Sequence, residues 1–388
     1  MIVIKNKSNC CGCGVCETIC PRKCISLCQD EEGFSYPIIN KELCINCDTC
    51  ERACPVLHPP IINLSDNQMY ACSSYDTDSK LNSSSGGAFY LLASSIISNG
   101  GIVFGVKMSQ DYRFSLFTSI SSNKELFSIL GSKYIQARTE RIYKTVNQEL
   151  ESGKLVLFSG TPCHIAALKN YLNKKYDNLF LVDLSCHGVP SEKAWNYYLD
   201  CKEEKENAKV VSASFRNKES GWKEFSLSTD YSNGSHHAET FTKDSFGKAF
   251  NKRLLFRPSC EHCRFKGLNR WSDLTLADFW GIDEITDAFA DCKGTSLIIV
   301  HTEKGARMIE NIRNLAKIIP VSHEQGTRRN PYIYRSVVPH SNKKKFFELL
   351  ENESFDDLVE QYATDEFVLK DFIFDLMKYI KRKLGINK

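Results

Sequence analysis

The segment Cys10–Cys11–Gly12–Cys13–Gly14–Val15–Cys16–Glu17–Thr18–Ile19–Cys20–Pro21 recurs in its spacing as Cys44–Ile45–Asn46–Cys47–Asp48–Thr49–Cys50–Glu51–Arg52–Ala53–Cys54–Pro55. Each copy is C-x2-C-x2-C-x3-C-P, the run that ligates a 4Fe–4S cubane. Three thiolates two residues apart on a tight loop, helped in the first copy by Gly12 and Gly14, reach three corners of one cluster. The fourth cysteine opens a short helix, points away and ligates the other cluster. The spacing therefore assigns Cys10, Cys13, Cys16 and Cys54 to one cluster and Cys44, Cys47, Cys50 and Cys20 to a second. C-x2-C pairs also build zinc sites, but structural zinc rarely takes four cysteines per run with a trailing proline, twice over.

Around this stretch, 388 residues are enough for two to three domains. A hydrophobic share of 42% with 25% charged residues is that of an ordinary soluble protein. The net charge of +3 is close to balance and gives no nucleic-acid signal. Met1 to Cys10 has no apolar secretory region, and the most apolar run, Ala88 to Ile97, is too short to span a bilayer. A cytoplasmic location is expected, where 18 cysteines point to metal or redox use instead of a disulfide framework.

Residues 1–58 form the small cluster module, whose own core is too small to fold without its cubanes. Within it, Gly33 to Pro37 reads as a turn or short strand pair, and Cys11, Cys24 and Cys28 as packing thiols outside the motif register. Residues 59–68 read as a Pro-rich, then polar linker. Residues 69–340 read as a larger mixed α/β domain, and 341–388 as a helical, charged tail. The basic stretch Lys378 to Lys383 reads as a solvated helix end, and no membrane contact is expected.

Inside the larger domain strands and helices alternate. Ala88–Ser98 reads as a helix with serine caps before it and Asn99–Gly100–Gly101 after it. Ile102–Val106 and Phe114–Thr118 read as strands, Arg141–Glu151 as a helix, and Lys154–Phe158 as a buried strand. Thr161 and Pro162 then open a helix. Leu179–Leu184 is the next strand, and Ser191 caps a helix through Cys201. Parallel strands with right-handed crossovers follow from this order. The loops carrying Cys163 and Cys186 then leave one carboxyl edge of the sheet, where open α/β sheets bind ligands. Residues 209–242 read as antiparallel strands turning at Asn233–Gly234, with His236 and His237 facing solvent.

A lone C-x2-C, Cys260–Glu261–His262–Cys263, completes a distant four-thiolate set with Cys163 and Cys186 if it reaches the same edge. Zinc would suit four thiolates equally; beside two clusters, a third iron–sulfur cluster is the better reading. Cys72, Cys201 and Cys292 have no partner pattern and read as core thiols.

These residues also carry a resemblance. Ser84–Ser85–Gly86–Gly87, Gly131–Ser132–Lys133–Tyr134, Gly160–Thr161–Pro162–Cys163, Ser185–Cys186–His187–Gly188, Cys260–Glu261–His262–Cys263, Asp278–Phe279–Trp280–Gly281 and, more weakly, Gly294–Thr295–Ser296 span most of residues 68–305. In that order they resemble the beta-subunit family of coenzyme F420-reducing hydrogenases and dehydrogenases, with a two-cluster bacterial-ferredoxin-like domain fused in front. The resemblance implies FAD and a 4Fe–4S cluster in the larger domain. It also implies two kinds of partner: ferredoxin or another iron–sulfur redox protein, and an organic hydride donor or acceptor such as a deazaflavin. The plant 7-hydroxymethyl chlorophyll a reductase looks like the same domain on another substrate, so the family does not fix the substrate.

A flavin also answers a chemical need, because a cubane passes single electrons and an organic hydride carries two. Ser85, Gly86 and Gly87 at a helix N-terminus suit the FAD diphosphate, although a plain capped helix has the same look. Lys133 suits a phosphate or the flavin ring, and Gly160, Thr161, Thr295 and Ser296 are weaker nominees. His164 and His187 beside the cysteines suit hydrogen bonding or proton relay. The leading expectation is an FAD-dependent iron–sulfur oxidoreductase. The alternatives are an electron-transfer subunit without turnover of its own and a zinc-stabilised binding protein.

Overall fold

The computed structural model describes residues 1–62 and 66–363. Among them runs a nine-stranded mixed sheet. Its strands, in spatial order, are Ala316–Val321, Gln68–Ser74, Ser296–Val300, Leu274–Asp278, Leu179–Leu184, Val156–Gly160, Ile102–Met108, Ser115–Ile120 and Ala137–Arg138. The middle four, starting at Ile102, Val156, Leu179 and Leu274, are mutually parallel. The expected parallel pairing therefore holds at the centre, and antiparallel pairings extend the sheet on both sides.

Strand periodicity divides the central core into two faces. Phe104, Val156 and Phe158 point to the side covered by helices Ile142–Glu151 and Pro162–Leu172. Val103, Leu157, Val182 and Leu274 point to the side covered by Ala88–Ser98 and Glu303–Ile312. A third apolar cluster joins a three-stranded antiparallel sheet (Val210–Asn217, Ser226–Tyr231, His236–Thr240) to helices Glu192–Glu206 and Ser245–Asn251.

Several expectations need correction. The Ala88–Ser98 helix is capped by Gly87 in a left-handed conformation, not by a serine side chain. The Ser191-capped helix continues past Cys201 to Glu206. Helices Lys343–Leu349 and Phe355–Tyr362 bury Phe346, Phe347, Leu350 and Phe355 in the third cluster, so this part of the tail belongs to the core. The basic stretch from Lys378 lies outside the described residues. Cys292 is exposed, not a core thiol, whereas Cys72 is fully buried. His236 is exposed as expected, but His237 is partly buried, with its Nε2 lacking a partner among the described residues.

The N-terminal module does not have a separate core. Ile2, Val15, Ile25 and Val56 belong to the same apolar cluster as Phe104 and Phe158. Polar side chains of the larger domain also hold the module's backbone. The Tyr143 hydroxyl donates to the Cys13 carbonyl at 2.7 Å, and the Gln136 amide to those of Cys11 and Gly12. The Asn170 amide donates to the Ala53 and His58 carbonyls. Even the linker is stitched down, by Trp271 Nε1 donating to the Pro60 carbonyl at 2.7 Å.

Candidate metal centres and cofactor site

In the first cysteine set, burial and then the neighbouring Cys10 and Cys54 raise the Cys16 thiol, which places the three together. Cys13 likewise has Cys16 and Cys54 as neighbours. The second set borders a hollow of ≈ 340 Å³, part of it open to solvent, lined by Cys20, Cys44, Cys47 and Cys50. Cys47 is exposed, and the Thr49 hydroxyl and amide hold its thiol below the usual range. Cys24, buried as expected of a packing residue, lines this hollow too, with its sulfur 3.4 Å from that of Cys20.

The third set is brought together by the fold. Cys163 begins the helix after strand Val156–Gly160, and Cys186 lies on the loop after strand Leu179–Leu184. The turn Pro258–Glu261 delivers Cys260, with Cys263 just beyond it. All four line one hollow of ≈ 680 Å³, part of it open to solvent. The Val189 N–H points at the Cys260 sulfur at 3.4 Å. Cys11 reaches the same hollow and lies against Cys163.

Its chemistry suits a metal cluster. Burial pushes the Cys186 thiol up to about 12 and raises Cys260 and Cys263 as well, so four thiolates coexist here only with a metal's charge among them. Lys266, Arg264 and Arg270 line the wall and oppose negative charge. His164 and His187 border the hollow, each with an Nε2 that is buried and without a partner among the described residues. Burial depresses their pKa values to about 4 and about 3, so both rings are neutral at pH 7. Thr161 belongs here too: its hydroxyl is 3.0 Å from the Cys163 sulfur and 2.9 Å from His164 Nδ1. Gly160 ends the strand just before it.

The other nominated cofactor residues gather further along the same carboxyl edge, where strand Gln68–Ser74 ends and strand Ser296–Val300 begins. At about 4.8 Å per strand, this region lies two to four strands, roughly 10–19 Å, from the loops carrying Cys186 and Cys163. Ser85, Gly86, Thr295 and Ser296 hold one another: the Ser85 hydroxyl donates to the Thr295 carbonyl at 2.6 Å, and the Gly86 N–H to the Ser296 hydroxyl at 3.0 Å. A Cβ on Gly86 would sit 2.3 Å from the Cys72 carbonyl oxygen, so close backbone packing accounts for that glycine.

The charge around this turn is what stands out. The Lys133 ammonium has only the Leu130 and Gly131 carbonyls as partners. The Lys218 ammonium donates to the carbonyls of Lys80, Ser85 and Lys293 at 2.6–2.9 Å. Among the described residues neither pairs with a carboxylate, and burial lowers both to about 7. Beside them the Arg216 guanidinium donates to both Asp278 oxygens and to the Ser84 carbonyl. Trp222 stacks on Trp280 at 4.8 Å and donates to Asp278. Sequence reasoning missed Arg216, Lys218 and Trp222; Asp278–Trp280 was visible as a motif, and its partners come from a separate sheet.

Residues 153–323, which contain all four cysteines of the third set, match the family described as the C-terminal part of the coenzyme F420 hydrogenase/dehydrogenase beta subunit. Over these residues the chain is similar to that beta-subunit family. Ahead of that stretch, residues 37–57 match a 4Fe–4S binding domain, which takes in Cys44, Cys47, Cys50 and Cys54. No curated protein sequence matches the chain significantly. Among solved structures, a chain of the F420-reducing [NiFe] hydrogenase complex from Methanosarcina barkeri aligns at 13% identity with a TM-score of 0.45, over 76% of this chain and 89% of that one. Among the described residues no helix is long and apolar enough to cross a membrane.

Proposed function

We propose that the chain is an iron–sulfur flavoprotein oxidoreductase that exchanges electrons between a ferredoxin-type partner and an organic hydride carrier of the deazaflavin kind. The observation carrying this reading is the gathering of twelve cysteines into three sets of four, the last at the sheet edge that also holds Lys133 and Lys218. Four-iron clusters would supply one-electron carriage at the cysteines, and FAD two-electron exchange with a hydride carrier.

The chain's own residues fit those groups. Cys10, Cys13, Cys16 and Cys54 would hold the first cluster, Cys20, Cys44, Cys47 and Cys50 the second, and Cys163, Cys186, Cys260 and Cys263 the third. Around the third, neutral His164 and His187 present N–H groups to sulfide, and Lys266 fixes the Cys186 loop by donating to its carbonyl at 2.6 Å. Buried Lys218 and partly buried Lys133, neither paired with a carboxylate among the described residues, favour an anion such as a diphosphate beside the N-terminus of helix Ala88–Ser98. Ser85, Gly86, Thr295 and Ser296 shape that turn by bonding to each other. Exposed Cys47 puts the second set where a protein partner can approach.

Anaerobic purification tests the proposal. Expected are a brown protein, about 12 iron atoms per chain, acid-releasable flavin and steady-state reduction of a deazaflavin by a reduced ferredoxin. Zinc in place of iron and sulfide refutes the reading. Clusters and flavin without turnover of any soluble carrier favour a subunit that only transfers electrons.

A further inference from the structure

A buried guanidinium ordinarily has a carboxylate to balance it, because an isolated charge in a protein interior is strongly disfavoured. The other deeply buried arginines follow this rule. Arg216 pairs with Asp278 at 3.0 Å, and Arg270 has Asp183 at 3.9 Å. Arg257 does not. It is fully buried, and its donors go only to neutral acceptors: Nε to the Cys10 carbonyl at 2.7 Å, Nη1 to Gln136 Oε1 at 2.8 Å, and Nη2 to the Ser35 carbonyl at 2.9 Å. The rings of Tyr36 and Phe34 cover it, with centroids 4.3 and 5.5 Å from its central carbon. Among the described residues no carboxylate lies within ion-pair distance of it.

The position of that charge is informative. Gly12 packs directly on the guanidinium: a Cβ there would lie 2.7 Å from Nη1, and at φ +67° a side chain would also be strained. Arg257 therefore presses on the loop between Cys10 and Cys13, two cysteines of the first set. It comes from the larger domain, three residues before Cys260 of the third set, and its backbone N–H is anchored on the Val189 carbonyl.

We propose that Arg257 is the counter-charge of the first cluster. A cubane with four thiolate ligands is an anion in either oxidation state, and reduction adds one more negative charge. A fixed cation beside it stabilises the reduced form more and raises the midpoint potential. The larger domain thereby sets the potential of a cluster held by the N-terminal module. This inference rests on the iron–sulfur reading above and adds the residue that tunes one site.

The test compares Arg257→Gln, which removes the charge but keeps a donor, with Arg257→Lys, which keeps the charge but loses the fork. Full-length protein with its clusters is titrated under EPR detection, and iron and sulfide are counted. In Arg257→Gln one of the three midpoints is expected to move to more negative potential while the other two stay; in Arg257→Lys all three remain close to wild type. If Arg257→Gln does not accumulate as folded protein, or accumulates without the first cluster, Arg257→Lys must still fold and retain that cluster. Equal shifts in both variants, no shift in either, or equal loss of cluster or fold in both overturns the counter-charge role. A wild type with no cluster at Cys10, Cys13, Cys16 and Cys54 overturns both readings. A wild type with that cluster but no turnover overturns only the oxidoreductase reading.

Discussion

Replacing Cys186 by alanine tests the third set, which no contiguous motif announces. Four thiols meet in one hollow there, and two strands and a separate turn are needed to bring them together. With three four-iron clusters the wild type carries about 12 iron atoms, and loss of one cluster leaves about 8. The two N-terminal sets do not share the Cys186 loop, so their iron should stay. Cys292→Ala is the matched control: its thiol is exposed and faces only the Ala290 carbonyl, so iron should remain at about 12. The assay is colorimetric iron and acid-labile sulfide per chain on anaerobically reconstituted protein, with circular dichroism to confirm folding. A folded Cys186→Ala protein that keeps all its iron, or loses no more than the Cys292→Ala control, refutes the assignment.

Other outcomes follow from the same geometry. Lys133 and Lys218 need their charge to hold an anion, and burial brings both pKa values to about 7, so the charged fraction falls as pH rises through that value. FAD affinity of flavin-depleted protein should therefore weaken between about pH 6 and pH 9, and Lys218→Met should flatten the profile in equilibrium dialysis. Gly86→Ala puts a methyl group 2.3 Å from the Cys72 carbonyl oxygen and should destabilise the fold by roughly 1–3 kcal/mol in denaturant unfolding. Asp278→Asn removes the charge partner of Arg216, which is 3% exposed. Because Asp278 itself is partly exposed, the expected destabilisation is at or below about 3 kcal/mol, measured the same way.

The two N-terminal cysteine runs were legible because they repeat one local spacing: a loop that is to place three sulfurs within one cluster's reach must do so with adjacent residues. The central α/β alternation was legible for a similar reason, since Val156–Gly160 and Leu179–Leu184 are short apolar runs followed by capped helices, each a local signal. The Gly87 cap was misread because three serines precede it, and which of them a helix uses depends on how the chain enters from strand Gln68–Ser74.

What only the tertiary structure decided lies between elements. Cys163, Cys186 and Cys260–Cys263 could be listed from sequence, but their meeting depends on strand order. Arg216, Lys218 and Arg257 gave no local sign, because a charged side chain looks alike in sequence whether water or a buried turn surrounds it. The same holds for the module's merged core and for helices Lys343–Leu349 and Phe355–Tyr362, whose apolar faces show amphipathicity but not the surface they cover. Spacing along the chain encodes what one loop or helix must do alone; charge balance and docking are set by partners tens to hundreds of residues away, and folding alone brings those together.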